Sequence, residues 1–146
     1  MIILSNFAER LEELMFEKNM SVSDMAKALK SDASTIYKYL NAKKLPSTHT
    51  AVKLANIFDC SVDYLLGRTE KNYKQTFHEP PPFCERLNFL LTHFKTTQYK
   101  LYTYGNFPQS AVQNWLKGTF SPTLDNAVKL AEYFDCSTDF ILGREL

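Results

Sequence analysis

The sequence predicts an all-α protein of two five-helix domains joined by a proline-rich linker. The first observation is an internal repeat, in which "AVKLANIFDCSVDYLLGR" (51–68) returns 76 positions later, without a gap, as "AVKLAEYFDCSTDFILGR" (127–144). Residues 7–68 and 83–144 share 21 identities at this offset. The second observation is that apolar residues recur at helical spacing behind Ser residues that can cap a first turn. The third is a polar stretch between the copies that ends in three prolines.

Each copy is long enough to fold by itself, since a helical unit of about 60 residues is near the lower size limit of an independent domain. We therefore expect domains at residues 1–69 and 83–146, with a linker at 70–82. The prolines at the end of the linker favour an extended, semi-rigid segment. Such a linker reaches about 43–47 Å when fully extended.

The first helix of copy one is predicted over Ser5 to about Lys18, because Phe7, Leu11 and Leu14 lie on one helical face and Ser5 can cap the first turn. A second helix follows Ser21, which has Asp24 three residues later in the capping-box position. The inward face of this second helix consists of Val22, Met25, Ala26 and Leu29.

A break at Lys30–Asp32 precedes a third helix, "ASTIYKYLNAK", which buries Ile36 together with Tyr39 or Leu40. Pro46, with Ser47 and Thr48, ends that element and opens the fourth helix. Ser61 caps the fifth helix, and Gly67 closes it. Copy two follows the same order.

Two short helices separated by a tight break, inside a small bundle, fit the helix-turn-helix pattern. Each copy resembles the Cro and lambda-repressor type of helix-turn-helix domain. The resemblance is carried by "STIYKYLNAKKLPS" and "SAVQNWLKGTFSPT" around the third helix, and by the shared "AVKLA..FDCS.D..LGR" tail. It implies two lambda-repressor-like DNA-binding domains, of bacterial or phage type, whose third helices enter the major groove of double-stranded DNA.

Exposed positions of the two reading helices are the expected base contacts. Gln and Asn can bond both N6 and N7 of adenine, whereas Ser and Thr are less selective and Lys can bond guanine. The candidates are Ala33, Ser34, Thr35, Tyr37 and Lys38 in copy one, and Gln109, Ser110, Gln113 and Asn114 in copy two. Expected phosphate contacts are Ser21, Ser23, Lys43, Lys44, Thr97, Gln98, Lys117 and Thr119.

The copies depart from the family pattern in different places. Copy two has Gln98 where family members commonly bond a phosphate, whereas copy one has Val22. Copy one has Ala26 where the two helices approach each other, whereas copy two has the much larger Tyr102 and must shift its helices locally. At the turn, Lys30 is strained by about 1 kcal/mol in a left-handed conformation that Asn106 tolerates better.

A formal net charge of +1 predicts modest DNA affinity for each domain. Linking two weak modules makes the second contact intramolecular, so duplication can replace dimerisation and favour two unlike half-sites. Self-association through the last helices is a second expectation, giving a homodimer or an intramolecular pseudo-dimer. The residues concerned are Tyr64, Leu65, Leu66, Phe140, Ile141 and Leu142, for which burial in their own domain is the alternative.

Other classes of protein lack support in the sequence. Cys60, Cys84 and Cys136 do not have metal-ligand spacing, and we expect no metal, cofactor or small-molecule ligand. No phosphate loop or catalytic triad indicates an enzyme. Without a membrane span or a secretory signal, a cytoplasmic protein is expected. The predicted function is a sequence-specific transcriptional regulator, a repressor by preference. The alternative is a protein-interaction module that has lost DNA contact in one or both copies.

Overall fold

A computed structural model describes residues 2–72 and 75–145, and these residues form helices without strands. The chain divides into two compact units, Met1–Gln75 and Thr76–Leu146. The first unit contains α1 (Ile2–Glu17), α2 (Val22–Leu29), α3 (Ala33–Leu40), α4 (Thr48–Ile57) and α5 (Val62–Leu65). The second contains α6 (Phe83–His93), α7 (Gln98–Thr103), α8 (Gln109–Lys117), α9 (Leu124–Phe134) and α10 (Thr138–Leu142). The predicted all-α fold of two five-helix domains is confirmed.

The core of the first unit lies among the inward faces of all five helices. Fully buried side chains include Phe7, Met25, Leu54 and Leu65. Ser21 caps α2 with its hydroxyl oxygen, and the backbone N–H of Ser21 donates to Asp24 in return, so the predicted capping box is present. The prediction that Ser5 caps α1 is wrong. The helix begins at Ile2 and includes Ser5, because the apolar residues before Ser5 continue the helical pattern.

The core of the second unit is rich in aromatic side chains. Trp115 packs edge-on against Phe83 and Phe107, and Phe94 stacks on Phe134. Helix α7 is two residues shorter than α2, since α7 has six residues and α2 has eight. Helix α7 therefore ends earlier in the repeat than α2 does, one residue after Tyr102.

An arginine buried on the first helix of each unit holds that helix to the last one. Arg10 donates from Nη1 to the carbonyl oxygen of Tyr64 at 2.6 Å, and its guanidinium lies 3.8 Å from the centre of the Tyr64 ring. Arg86 donates to the carbonyl oxygen of Phe140 and packs over that ring at 4.7 Å. The same contact therefore closes both bundles.

Part of the predicted linker lies on the second unit. The backbone N–H of His78 donates to the carbonyl oxygen of Arg144 at 2.8 Å, and the Phe77 ring lies 4.0 Å from the Arg144 guanidinium. Arg144 forms a buried ion pair with Asp139. Pro81 packs so closely on Gly143 that a Cβ there would lie 2.6 Å from Pro81 Cδ. Residues 77–81 are thus part of the folded second unit.

Candidate nucleic-acid interface

Helices α2 and α3 pack together through their inward faces and leave one polar face outside. Met25, Ala26, Ile36 and Tyr39 are buried, whereas the side chains on the opposite face are exposed. Lys30 links the two helices with φ 53° and ψ 44°, the left-handed conformation expected for this turn. The break at residues 30–32 that the sequence predicts is therefore present.

The predicted reading positions of α3 lie on its outer face. Ala33, Ser34, Tyr37 and Lys38 are exposed, and Thr35 is half-buried. More than half of the Tyr37 side chain, 54%, is accessible to solvent. The structure thus brings these five residues to one surface, where a groove of about 12 Å would admit the helix.

Asp32 occupies the N-cap of α3, a role that was not assigned from the sequence. Its Oδ1 accepts hydrogen bonds from the Thr35 backbone N–H at 2.9 Å, the Thr35 hydroxyl at 2.8 Å and the Ser34 hydroxyl at 2.8 Å. These bonds, those of Thr35 foremost, lower the pKa of Asp32 to about 2, so the carboxylate is charged at neutral pH. The hydroxyl protons of two predicted base contacts are therefore used within the protein. An Asp directly before a helical segment is the sequence signal for such a cap.

The equivalent helix pair of the second unit begins at Thr97, which caps α7 by accepting a hydrogen bond from the Lys100 N–H. Gln98 follows at the first position of the helix and is exposed. The hydroxyl of Tyr102, one turn later, donates to Gln98 Oε1 at 2.8 Å. This bond fixes the amide so that its NH₂ group, which carries two donors, is left for an acceptor outside the protein.

The turn between α7 and α8 depends on Gly105 and Asn106. A Cβ on Gly105 would lie 2.7 Å from the Phe107 ring and 2.8 Å from the carbonyl oxygen of Leu101. Asn106 adopts φ 57°, as its place in the repeat predicts. The Lys129 ammonium donates to the Asn106 carbonyl oxygen at 3.1 Å and holds α9 against the turn.

Helix α8 presents the predicted reading residues of the second unit without a capping side chain. Gln109, Ser110 and Gln113 are exposed, and Asn114 is half-buried. Pro108 occupies the N-cap and makes no side-chain hydrogen bond. Val112 and Trp115 anchor the opposite face in the core. Within residues 2–72 and 75–145, the amide groups of Gln109 and Gln113 form no hydrogen bond with protein, so both are available to a base edge.

The predicted phosphate contacts surround the two reading helices, and all of them are exposed. In the first unit they are Ser21, Ser23, Lys43 and Lys44; in the second they are Thr97, Gln98, Lys117 and Thr119. Ser21 and Thr97 also cap helices, but they do so as acceptors and keep a hydroxyl proton to donate. Phe120 takes the place of Lys44 in the second unit and is 62% exposed.

Four of the six residues predicted for self-association are buried, which fits the alternative of burial in their own domains. Leu65, Leu66 and Ile141 are fully buried, and Leu142 is 4% exposed. The physical reason is that each short last helix packs on two helices of its own unit: α5 on α1 and α4, and α10 on α6 and α9. Tyr64 and Phe140 are half-buried, and each lies against the buried arginine of its own unit.

The described residues contain no group of His, Cys, Asp and Glu side chains that could hold a metal ion. Cys60 is buried, and Cys84 and Cys136 are partly buried thiols. No described helix has both the length and the apolar character needed to cross a bilayer.

A helix-turn-helix family model matches the chain twice, over residues 11–65 and 90–141. Each match includes the two-helix segment and the exposed third-helix face of its unit. Neither curated proteins nor solved structures give a match to the chain.

Proposed function

Because the chain belongs to the helix-turn-helix family in both of its units, we propose that it binds double-stranded DNA and regulates transcription as a sequence-specific repressor in the cytoplasm of a bacterial or phage system. The observation that carries this proposal is the outer face of α8. There Gln109 and Gln113 are exposed and unbonded within the described protein, one turn apart on a helix anchored by Trp115. An amide in the major groove can pair with both N6 and N7 of adenine.

Backbone contacts would position the helix on the duplex. Gln98 is held by Tyr102 with its NH₂ group outward, and Lys117 and Thr119 follow the reading helix. Hydrogen bonds to phosphate fix register and orientation, whereas base contacts select sequence. Together with Gln109 and Gln113, these residues would supply phosphate contacts and base contacts without a metal, a cofactor or a catalytic group.

The modest charge of each unit favours binding by two linked units. Residues 1–69 contain nine Lys and Arg against eight Asp and Glu, and residues 83–146 contain six of each, so neither unit has a large excess of cations for phosphate. Joining the units makes the second encounter intramolecular, which raises overall affinity without new contacts. Since four of the six residues predicted for self-association are buried in their own units, we favour one chain that binds DNA through its two linked units over self-association through the last helices.

The test is selection of preferred duplexes from a random pool with the full chain, followed by binding of Gln113→Ala. Loss of the amide should cost about 1–3 kcal/mol and relax the preference at one base pair. Thr92→Ala, an exposed change on α6, is the control and should bind as the wild type does. An unchanged preference in Gln113→Ala would contradict the proposed base contact.

A second function, protein interaction through a retained fold, is favoured by exposed aromatic side chains near α7 and α8. Tyr99, Tyr104 and Phe120 are 68%, 73% and 62% exposed, respectively. Salt separates the two functions, because phosphate contacts release counterions and weaken steeply as salt rises. A flat response of duplex binding to salt would support the interaction module.

A further inference from the structure

The two reading helices differ most at the residue that caps them. Residue 32 and residue 108 are equivalent in the repeat, and they are Asp and Pro, respectively. The Asp32 carboxylate lies at the start of α3 and holds the hydroxyls of Ser34 and Thr35. Pro108 contributes neither charge nor a side-chain hydrogen bond at the start of α8. The end of the helix that meets base edges is therefore anionic in one unit and neutral in the other.

Net charge does not reveal this difference. Residues 19–45 contain five lysines and two aspartates, Asp24 and Asp32, and the equivalent residues 95–121 contain three lysines and no acidic residue. Both segments therefore have a formal charge of +3. In the first unit, however, both carboxylates accept hydrogen bonds at helix N-termini, and Asp32 is fixed at the start of the reading helix.

The second difference is at the residue that would bond a phosphate of the DNA backbone. Gln98 is an exposed amide oriented by Tyr102, whereas the equivalent Val22 is half-buried and has no side-chain donor. An ionised carboxylate near phosphates or base acceptors is repelled by them, and like charges brought together at an interface lower affinity strongly. Both differences lower the affinity of the first unit for DNA.

We propose that base selection resides in the second unit alone, and that Asp32 is a negative specificity determinant that keeps α3 of the first unit from reading sequence. This inference rests on the proposed DNA-binding function and adds a division of labour to it. The first unit then contributes at most sequence-independent contact through Lys38, Lys43 and Lys44, which are exposed. The preferred duplex has one half-site with base preferences instead of two.

The test changes the capping residue of each reading helix in the full chain. Pro108→Asp should lower affinity for the selected duplex about tenfold or more and erase its sequence preference. Pro108→Asn is the matched control, since Asn caps a helix as well as Asp does but brings no charge, and it should retain the preference. Fluorescence of Trp115, the single tryptophan and a residue of this unit's core, verifies that both variants fold.

In the first unit, Asp32→Asn keeps a capping acceptor and removes the charge, and it should raise affinity several-fold. The double variant Ser34→Ala with Thr35→Val should leave the selected sequence unchanged. If Asp32→Asn lowers affinity or alters one base preference, Asp32 is itself a base contact and the inference is wrong. If the wild type selects two half-sites and each depends on its own helix, the inference fails while the proposed function stands. If no duplex is bound with a salt-dependent affinity, both fail.

Discussion

The hydroxyl of Tyr102 donates a hydrogen bond to Oε1 of Gln98, at 2.8 Å, across one turn of α7. This contact links Tyr102, which departs from the expected family pattern, to Gln98, the amide expected to bond a phosphate. Tyr102 replaces the small residue found at the equivalent position 26, and α7 ends earlier than α2. In exchange, Gln98 has a fixed orientation. The large side chain therefore has a role in positioning the amide.

The first prediction concerns that hydrogen bond. Tyr102→Phe removes only the hydroxyl, so the ring packing stays and the Gln98 amide becomes free to rotate. Losing one hydrogen bond of about 0.5–1.5 kcal/mol should weaken duplex binding roughly two- to tenfold. Fluorescence anisotropy with the selected duplex measures the change. Tyr133→Phe, on α9 outside the helix pair, is the matched control, and equal losses in both variants would contradict the positioning role.

The second prediction concerns the turn before α8. Gly105→Ala forces a Cβ against the Phe107 ring and the Leu101 carbonyl oxygen, both at less than 3 Å in the native geometry. Overpacking of this kind should lower the free energy of unfolding of the second unit by about 1–3 kcal/mol. Urea unfolding followed by Trp115 fluorescence isolates this unit. Gly118→Asn is the control, since Asn tolerates the left-handed φ of 80° there and a Cβ meets nothing closer than 3.5 Å.

The local chemistry of the helices could be predicted from the sequence, but longer-range contacts could not. The Ser21–Asp24 capping box and the left-handed turn at Lys30 depend on a few neighbouring residues. The placement of Phe77 and His78 depends on Arg144, 67 and 66 positions away, and a polar segment with three prolines is typical of a linker. The same limit applies to Leu65 and Leu66, whose apolar run fits either a shared surface or the core of their own unit, and only their packing distinguishes the two.

The sequence predicted which positions form the candidate site. It did not predict the hydrogen bonds within the protein that decide which of these side chains can bond DNA. The exposure of Gln109 and Gln113 follows from helical periodicity around buried Val112. The use of the Ser34 and Thr35 hydroxyls by one oxygen of Asp32 depends on side-chain rotamers, which periodicity does not specify. Equivalent places in the repeat therefore do not imply equivalent chemistry.

The third prediction concerns the segment before α6. Phe77→Ala removes the ring from the Arg144 guanidinium and opens the buried Arg144–Asp139 pair to solvent. A cation–π contact with a desolvated guanidinium is worth about 1–2 kcal/mol, so the second unit should become less stable by that amount. Trp115 fluorescence in urea measures it. His78→Ala, which keeps the backbone N–H, should change stability by less than about 0.5 kcal/mol, and an equally stable Phe77→Ala would show that the segment is a free linker.

The fourth prediction concerns the protonation of Asp32 at low pH. Three hydrogen bonds hold the pKa of Asp32 at about 2, below its ordinary value of 3.8, so the folded state binds a proton less readily than the unfolded state. The stabilisation from this cap is therefore complete above pH 3.8 and is lost as pH falls towards 2. A carbon-detected NMR titration of the Asp32 carboxyl should give a midpoint near 2. Thr35→Val removes the hydroxyl bond and should raise that midpoint; an unchanged midpoint would disprove the assigned cause.

The fifth prediction concerns the buried arginine that closes each bundle. Arg86→Lys cannot reproduce the planar contact with Phe140 or its paired donation to the Phe140 carbonyl oxygen. Because hydrogen bonds from a charged donor contribute about 1.5–3 kcal/mol, the second unit should lose stability in that range. Arg10→Lys makes the same change in the first unit, which has no tryptophan, and is the matched control. The Trp115 transition in urea should move to lower urea in Arg86→Lys and stay in place in Arg10→Lys. Equal shifts would mean that the arginines stabilise the chain as a whole instead of closing their own bundles.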